Sequence, residues 1–222
     1  MPTFNDLYYT FIGSKDLLPE ETEQYNVGAT YQINKESGIL KQVSLEGDTY
    51  LNYVKNKIIA MPTSNQFQWT MVNLGRVRIA GAELRGQARW QLGQVLLDTQ
   101  VNYTYQRAVD ITDPNKSYYK GQIAYIPWHS GSAVVSLDYK GWSLNYSTIY
   151  TGERYDSSAN IRENYIQPWY THDVSVMKNF KLGHYDMRAT LEVNNILNQQ
   201  YEVVRSYPMP GTHGKIKLEW KL

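Results

Sequence analysis

Gln24-Tyr-Asn-Val-Gly-Ala-Thr-Tyr-Gln-Ile-Asn34 is the stretch that decides the fold. Tyr25, Val27, Ala29, Tyr31 and Ile33 take every second position, and Gln24, Asn26, Gly28, Thr30, Gln32 and Asn34 fill the others. Successive side chains of a strand point to opposite faces, so the segment has one oily and one wet side. A helical period would mix the two classes on each face.

The same period recurs down the chain. Val43, Leu45, Leu51 and Tyr53 alternate with Ser44, Glu46, Asp48 and Asn52. Ala80 to Trp90 alternates with Glu83, Arg85, Gln87 and Arg89, and Val95 to Tyr105 alternates with Asp98, Gln100, Asn102 and Thr104. Further runs end on Tyr139, Tyr150 and Val193, a weaker one spans Trp169 to Asn179, and the last sets Ile216, Leu218, Trp220 and Leu222 against lysines and Glu219. The total is about nine strands, most near the 9–11 residues that cross a bilayer when tilted. The alternation places Val27, Leu45, Leu97, Leu144, Leu191 and Leu218 on the oily face and Asn26, Glu46, Gln100, Asn145 and Glu192 on the wet one.

Connections alternate as regularly as residues. Short ones fall at 35–38, 91–93, 140–141 and 181–183, each with a glycine, and long ones at about 56–70, 107–128, 152–167 and 194–213. Glycine supplies the positive φ of a tight hairpin. All short turns therefore share one end of the sheet and all long loops the other, the arrangement of an outer-membrane barrel with short periplasmic turns and long extracellular loops.

Composition excludes several classes. In 222 residues, 22 basic and 21 acidic side chains nearly cancel, which argues against a nucleic-acid partner. No cysteine is present, so neither a disulfide scaffold nor a thiolate metal site is available. No apolar run approaches a membrane helix, and a mean hydropathy of -0.54 is what a barrel with a polar lumen and loops can show. A soluble β-sandwich binding module is the rival fold. It has no reason to gather its long loops at one end. Nor would its oily face end on Tyr or Trp, as at Tyr25, Trp90, Tyr105, Tyr139, Trp142 and Trp220, where a membrane girdle would. A small closed soluble barrel would also have to bury Glu83, Arg85 and Arg89. These three read instead as a lumen ion-pair ladder.

Ordered motifs go beyond pattern. Pro2-Thr-Phe-Asn-Asp-Leu-Tyr-Tyr9, Leu17 to Gly28, Tyr50 to Ile59, Asn73-Leu-Gly75, Gly81-Ala-Glu83, Val193-Asn-Asn-Ile-Leu-Asn-Gln-Gln-Tyr201 and Tyr207-Pro-Met-Pro-Gly211 follow one another along the chain. In that order they resemble the late strands of TonB-dependent outer-membrane receptors. The resemblance implies the C-terminal portion, residues 1–222, of an all-β, antiparallel transmembrane barrel of about 22 strands with a plugged lumen. It further implies a plug domain and early strands outside these residues, energising by a TonB partner through a segment also outside them, and contact with outer-membrane lipid. The expected function is import of a scarce nutrient: a ferric siderophore, haem or cobalamin. A passive porin-type channel, which would lack a plug, is the alternative transporter. The last strand resembles the signal read by barrel-assembly machinery, although Leu222 stands where that signal ends in Phe.

No nucleophile elbow, phosphate loop or paired acid and base stands out, so no enzyme, cofactor or metal is expected. His129, His172, His184 and His213 lack metal-ligand spacing. Recognition belongs on the long loops, because rigid scaffolds carry binding groups on their connections. Tyr118, Tyr119 and Lys120 on one, Arg154, Tyr155, Arg162 and Tyr165 on the next, and Arg205 and Tyr207 on the last are the candidates. Arginine and tyrosine can stack on and hydrogen-bond anionic or aromatic ligands.

Overall fold

The computed structural model describes residues 2–10, 12–63 and 68–221. After a short helix α1 (Phe4–Tyr8) come β1 (Glu21–Asn34), β2 (Leu40–Pro62), β3 (Trp69–Leu92), β4 (Val95–Asp110), β5 (His129–Tyr139) and β6 (Trp142–Thr151). They are followed by β7 (Arg154–Tyr155), β8 (Tyr165–Ile166), β9 (Trp169–Leu182), β10 (Tyr185–Asn194), β11 (Glu202–Val204), β12 (Tyr207–Pro208) and β13 (His213–Lys221). Nine of these strands form one sheet in the order β1-β2-β3-β4-β5-β6-β9-β10-β13, while β7–β8 and β11–β12 are small hairpins within loops. Every ladder of the large sheet is antiparallel.

Register carries the two faces across the whole sheet. Leu45 opposes Gly86, Gly86 opposes Val101, Val101 opposes Ala133, Ala133 opposes Thr148 and Thr148 opposes His172. One residue further along, Glu46, Arg85, Asn102 and Ser132 form the neighbouring row. A slip by one residue would exchange the faces. Among the described residues, the register of the large sheet shifts only between Leu40 and Gln42, at the short-turn end of β2. The oily stripe read from β1 is therefore continuous with those of all eight other strands.

That stripe lies open. Val27 is 76% exposed, Leu45 53%, Leu144 46%, Leu191 52% and Leu218 53%. Among the described residues no second large sheet covers it, so a two-layer sandwich is ruled out. Exposed apolar area on this scale marks a surface that meets something other than water. The wet face instead holds side-chain hydrogen bonds running across strands. Arg85 reaches Glu46 at 3.4 Å and Asn102 at 3.1 Å, and Asn102 donates to Ser132 at 3.1 Å. Arg89 grips Asp98 with two bonds of 2.6 and 3.1 Å. The expected lumen ladder exists, but it runs between strands. Glu83 opposes Asp48 and has no ion pair among the described residues.

The short turns follow from their glycines. Lys140 (φ 46°) and Gly141 (φ 77°) both adopt positive φ, as a two-residue type I′ hairpin demands. Among the described residues the sheet does not close: β1 pairs only with β2, and β13 only with β10. Leu222, read as the end of the last strand, lies outside the described residues.

One expectation about the loops is corrected. Within the connection expected at 56–70, residues 56–62 and 69–70 are strand, because pairing continues from Lys55–Arg76 to Pro62–Trp69. The apolar residues Ile58, Ile59 and Met61 meet Asn73, Val72 and Thr70 there, so the hairpin projects beyond the length a bilayer needs. Asn56 (φ 53°) and Lys57 read as turn residues in isolation, but the N-terminal segment holds that stretch flat. Asn73 donates to the carbonyls of Asn56 (2.7 Å) and Leu18 (3.0 Å), and its side-chain oxygen accepts from the Leu18 amide (2.8 Å). Likewise β9 runs three residues past Asn179, to Leu182.

The buried apolar core sits at this end as well. Val54, Val77, Ala108 and Ile123 pack together, flanked by Ile59, Leu74, Ile79 and Ile126. The loop between β4 and β5 closes it by returning along β4: Ile123 donates to Ala108 O (3.2 Å) and Asp110 to Gly121 O (3.1 Å).

Candidate functional site at the long-loop end

Three long loops fold onto one another. In the first, Lys120 (φ 61°) turns the chain so that its amide donates to Asp110 O at 2.7 Å, and its ammonium rests 5.3 Å from the Tyr119 ring. Tyr118 and Tyr119 are half-buried and Lys120 is exposed. The second loop is organised by β7–β8, which pairs Arg154 with Ile166 and Tyr155 with Tyr165. The two tyrosine rings meet edge-on at 5.9 Å, and the Tyr165 hydroxyl donates to Glu153 at 3.0 Å. Burial and that carboxylate push the Tyr165 phenol up. Asn160 clamps the first loop to the second: its amide accepts from Gln122 N and donates to Gln122 O.

Two of the candidate arginines serve as cross-links. Arg154 is 2% exposed and donates through Nη2 to the carbonyls of Glu202 (2.8 Å) and Val203 (2.9 Å) on the third loop. Burial pushes its guanidinium below its ordinary value, with Tyr125 opposing. Arg205 returns the link, reaching Asp156 at 2.6 Å and Glu163 O at 2.6 Å. Charge-assisted bonds of this length are the strong kind. Arg162 differs: it is exposed and has no side-chain bond or ion pair among the described residues. Tyr207 is exposed on β12.

The third loop is pinned to the sheet by Asn195 (φ 49°), which is buried. Its amide donates to Gln199 O and Pro210 O, and its own N–H donates to Asp173 at 2.7 Å. Asn198 accepts from Thr212 N at 3.1 Å. The run Val193 to Tyr201 thus works as a loop-shaping device, as the affinity of Asn for turns suggests.

Between the second and third loops lies a cavity of about 550 Å³ lined by Tyr165, Gln167, Trp169, Tyr201, Glu202 and Arg205. Trp169 and Tyr201 pack with ring centroids 4.5 Å apart and planes tilted by 31°. The Trp169 indole N–H is buried without an acceptor, and so is the Gln199 side-chain oxygen without a donor. An orphan donor beside an aromatic pair and a half-buried guanidinium is suited to a flat, anionic or carbonyl-bearing ligand. Sequence reading reached Tyr165 and Arg205 but missed Trp169 and Tyr201. Alternation marked Trp169 only as the start of a strand, and nothing local places Tyr201 against it. Tyr118, Tyr119, Lys120, Tyr155, Arg162 and Tyr207 do not line this cavity. Among the described residues no group of acidic or histidine side chains could hold a metal ion; His213 bonds Gly211 O, while His129 and His172 bond Tyr103 and Tyr146.

An antiparallel wall with an oily outer face, a hydrogen-bonded wet face and all long loops at one end defines part of an outer-membrane β-barrel. The family model described as "TonB dependent receptor-like, beta-barrel" matches residues 1–196, and the chain belongs to that family. The "Vitamin B12 transporter BtuB" of Photobacterium profundum is 29% identical over 167 residues, 73% of this chain and 24% of the relative. The protein of the same name from Vibrio vulnificus is 23% identical over 92% of this chain and 30% of its own length. The chain thus spans less than a third of these relatives. Among solved structures, "BauA, the Ferric preacinetobactin receptor from Acinetobacter baumannii" superposes with a TM-score of 0.67 at 14% identity, covering 97% of this chain and 32% of that one. The "ferric citrate transporter FecA in the unliganded form" gives 0.66 at 17% identity over 91% and 31%.

Proposed function

We propose that the chain forms the outer-facing wall and part of the vestibule of an importer for a scarce nutrient of the ferric siderophore, haem or cobalamin class. In this reading a plug and the remaining strands, from the same parent receptor, complete the barrel, and a TonB protein energises release. The names of the relatives support nutrient import. The observation within this chain that carries the reading is the packed Trp169–Tyr201 pair beside Arg205, at the mouth of a wet-lined wall. The role is capture and passage, not catalysis.

Arg154 and Arg205 hold two loops in register so that the cavity keeps its shape. Arg162, Lys120, Tyr118, Tyr119, Tyr155 and Tyr207 line the outer approach. Ligand that enters displaces water from the aromatic pair. Replacing Trp169 and Tyr201 together by Ala in the full receptor should weaken nutrient capture, with each stacking contact contributing about 0.5–1.5 kcal/mol. Binding of a ferric siderophore, haem and cobalamin is measured separately, followed by uptake in cells. Unchanged binding of all three by the double variant would remove the cavity from the pathway. Equal uptake with and without the cellular energy source would favour the passive channel.

A further inference from the structure

We propose that Arg76, Arg78 and Arg107 form an outward-facing site for the phosphate groups of an outer-leaflet lipid. This rests on the reading that the oily face of the sheet meets the outer membrane, and it is independent of which nutrient the lumen passes.

Register places the three side chains on one face. Arg76 and Arg78 are alternate residues of β3, opposite Lys55 and Tyr53 on β2. On β4, Arg78 opposes Val109 and Arg107 opposes Ala80, so Arg107 is the diagonal neighbour of Arg78. Diagonal neighbours lie about 7–8 Å apart, within reach of long side chains. The face is the oily one, because Ala80, Ala82 and Leu84 continue it on β3, as Tyr105 and Tyr103 do on β4. An anionic nutrient travelling through the lumen would not meet it.

Charge balance on the patch is incomplete. Lys55 is paired with Glu21 at 3.3 Å, but none of the three arginines has an ion pair among the described residues. Arg107 lies 5.3 Å from the Trp128 ring, and its Nε is buried without an acceptor. Three clustered guanidinium groups repel one another unless an anion joins them, and a guanidinium fork matches phosphate geometry. Position selects the source of that phosphate. Along β4 the outward side chains run Val101, Tyr103, Tyr105, Arg107, from apolar through amphipathic to cationic. This is the order in which acyl chain, interface and headgroup are met.

The test uses the full receptor purified in detergent and stripped of lipid. Binding of bisphosphorylated lipid A is compared with its dephosphorylated form and with inorganic phosphate, for wild type and for Arg76→Gln/Arg78→Gln/Arg107→Gln. Wild type should prefer the phosphorylated lipid, and the triple variant should lose at least about tenfold in affinity for it while binding the dephosphorylated lipid as before. Equal affinities of the two proteins for the phosphorylated lipid would overturn the proposal. Inorganic phosphate binding as tightly as the lipid would overturn it too, assigning the site to free phosphate. If the triple variant fails to assemble, Arg107→Gln alone, which leaves the exposed Arg76 in place, should still weaken lipid binding. Nutrient binding, measured on the same samples, reports on the transporter reading separately.

Discussion

The wall and the loop end of this molecule are built on opposite rules. In the wall the large apolar residues point away from the protein, and the Arg85 and Arg89 ion-pair ladders run between strands on the other face. At the loop end Val54, Val77, Ala108 and Ile123 are buried as in a soluble protein, and a charged residue, Arg154, is buried against the third loop. The wall needs a bilayer to be stable; the loop end carries its own small core. A sheet in lipid satisfies its backbone polar groups through its ladders and gains from oily side chains turned outward. A loop cluster in water must bury apolar area and pair each buried polar group.

The largest expected effect follows from that contrast in the wall. Leu144 and Asn145 are neighbours on β6 but face opposite ways. Leu144→Arg in the full receptor should destabilise the assembled barrel by about 2–4 kcal/mol if Leu144 sits near the midplane, while Asn145→Arg should be nearly neutral. Heat-modifiable gel mobility reads the assembled fraction. Equal tolerance of the two would break the assignment of faces throughout the sheet, since register links them all.

At the loop end, Arg154→Ala removes charge-assisted bonds from a buried site. A local loss of about 1.5–3 kcal/mol is expected. Hydrogen exchange should quicken over 152–168 and 195–212 while the barrel still assembles. Arg162→Ala, at an exposed and unlinked position, should change neither. If both variants behaved alike, the loops would not be a single cross-linked body. A slightly smaller effect is expected for Val77→Ala, which deletes two buried methyl groups from the loop-side core at a cost of about 2 kcal/mol. Protease sensitivity of the β2–β3 hairpin should rise, with no change in the wall.

The smallest effect is one of pH. Glu20 accepts from Ile58 N at 2.7 Å and Lys57 Nζ at 2.9 Å. Burial pushes its carboxyl up, but those two bonds outweigh it and the net position is below the ordinary carboxylate value. A group depressed in the folded state stabilises above its unfolded pKa, and that stability is lost as pH falls through the lower, folded value. The N-terminal segment should therefore stay docked on β2 at neutral pH and loosen in acid. Exchange of the Ile58 amide, compared at neutral pH and in the carboxylate range, checks this. A rate rising with pH beyond the intrinsic trend would contradict it.

Sequence determined more of the wall than of the loops. Period-two alternation marked both faces, and the alternation of short and long connections placed all recognition loops at one end. It worked because a lipid-facing strand has few options: each position is either oily or wet, and a one-residue slip reverses the whole strand. Local pattern failed where an outcome depended on distant partners. Residues 56–62 read as a loop but are held as strand by Asn73, Leu18 and Glu20. Arg154 and Arg162 are the same residue type on the same loop, yet one is buried between loops and the other meets solvent. Trp169 and Tyr201 share a cavity only because Asn195 folds the third loop back over β9. The faces, the ends and the membrane setting were thus legible in the chain alone. Which loop side chains bind one another and which remain for a ligand was decided by tertiary packing, because burial of a charge depends on carbonyl groups that only the folded chain brings together.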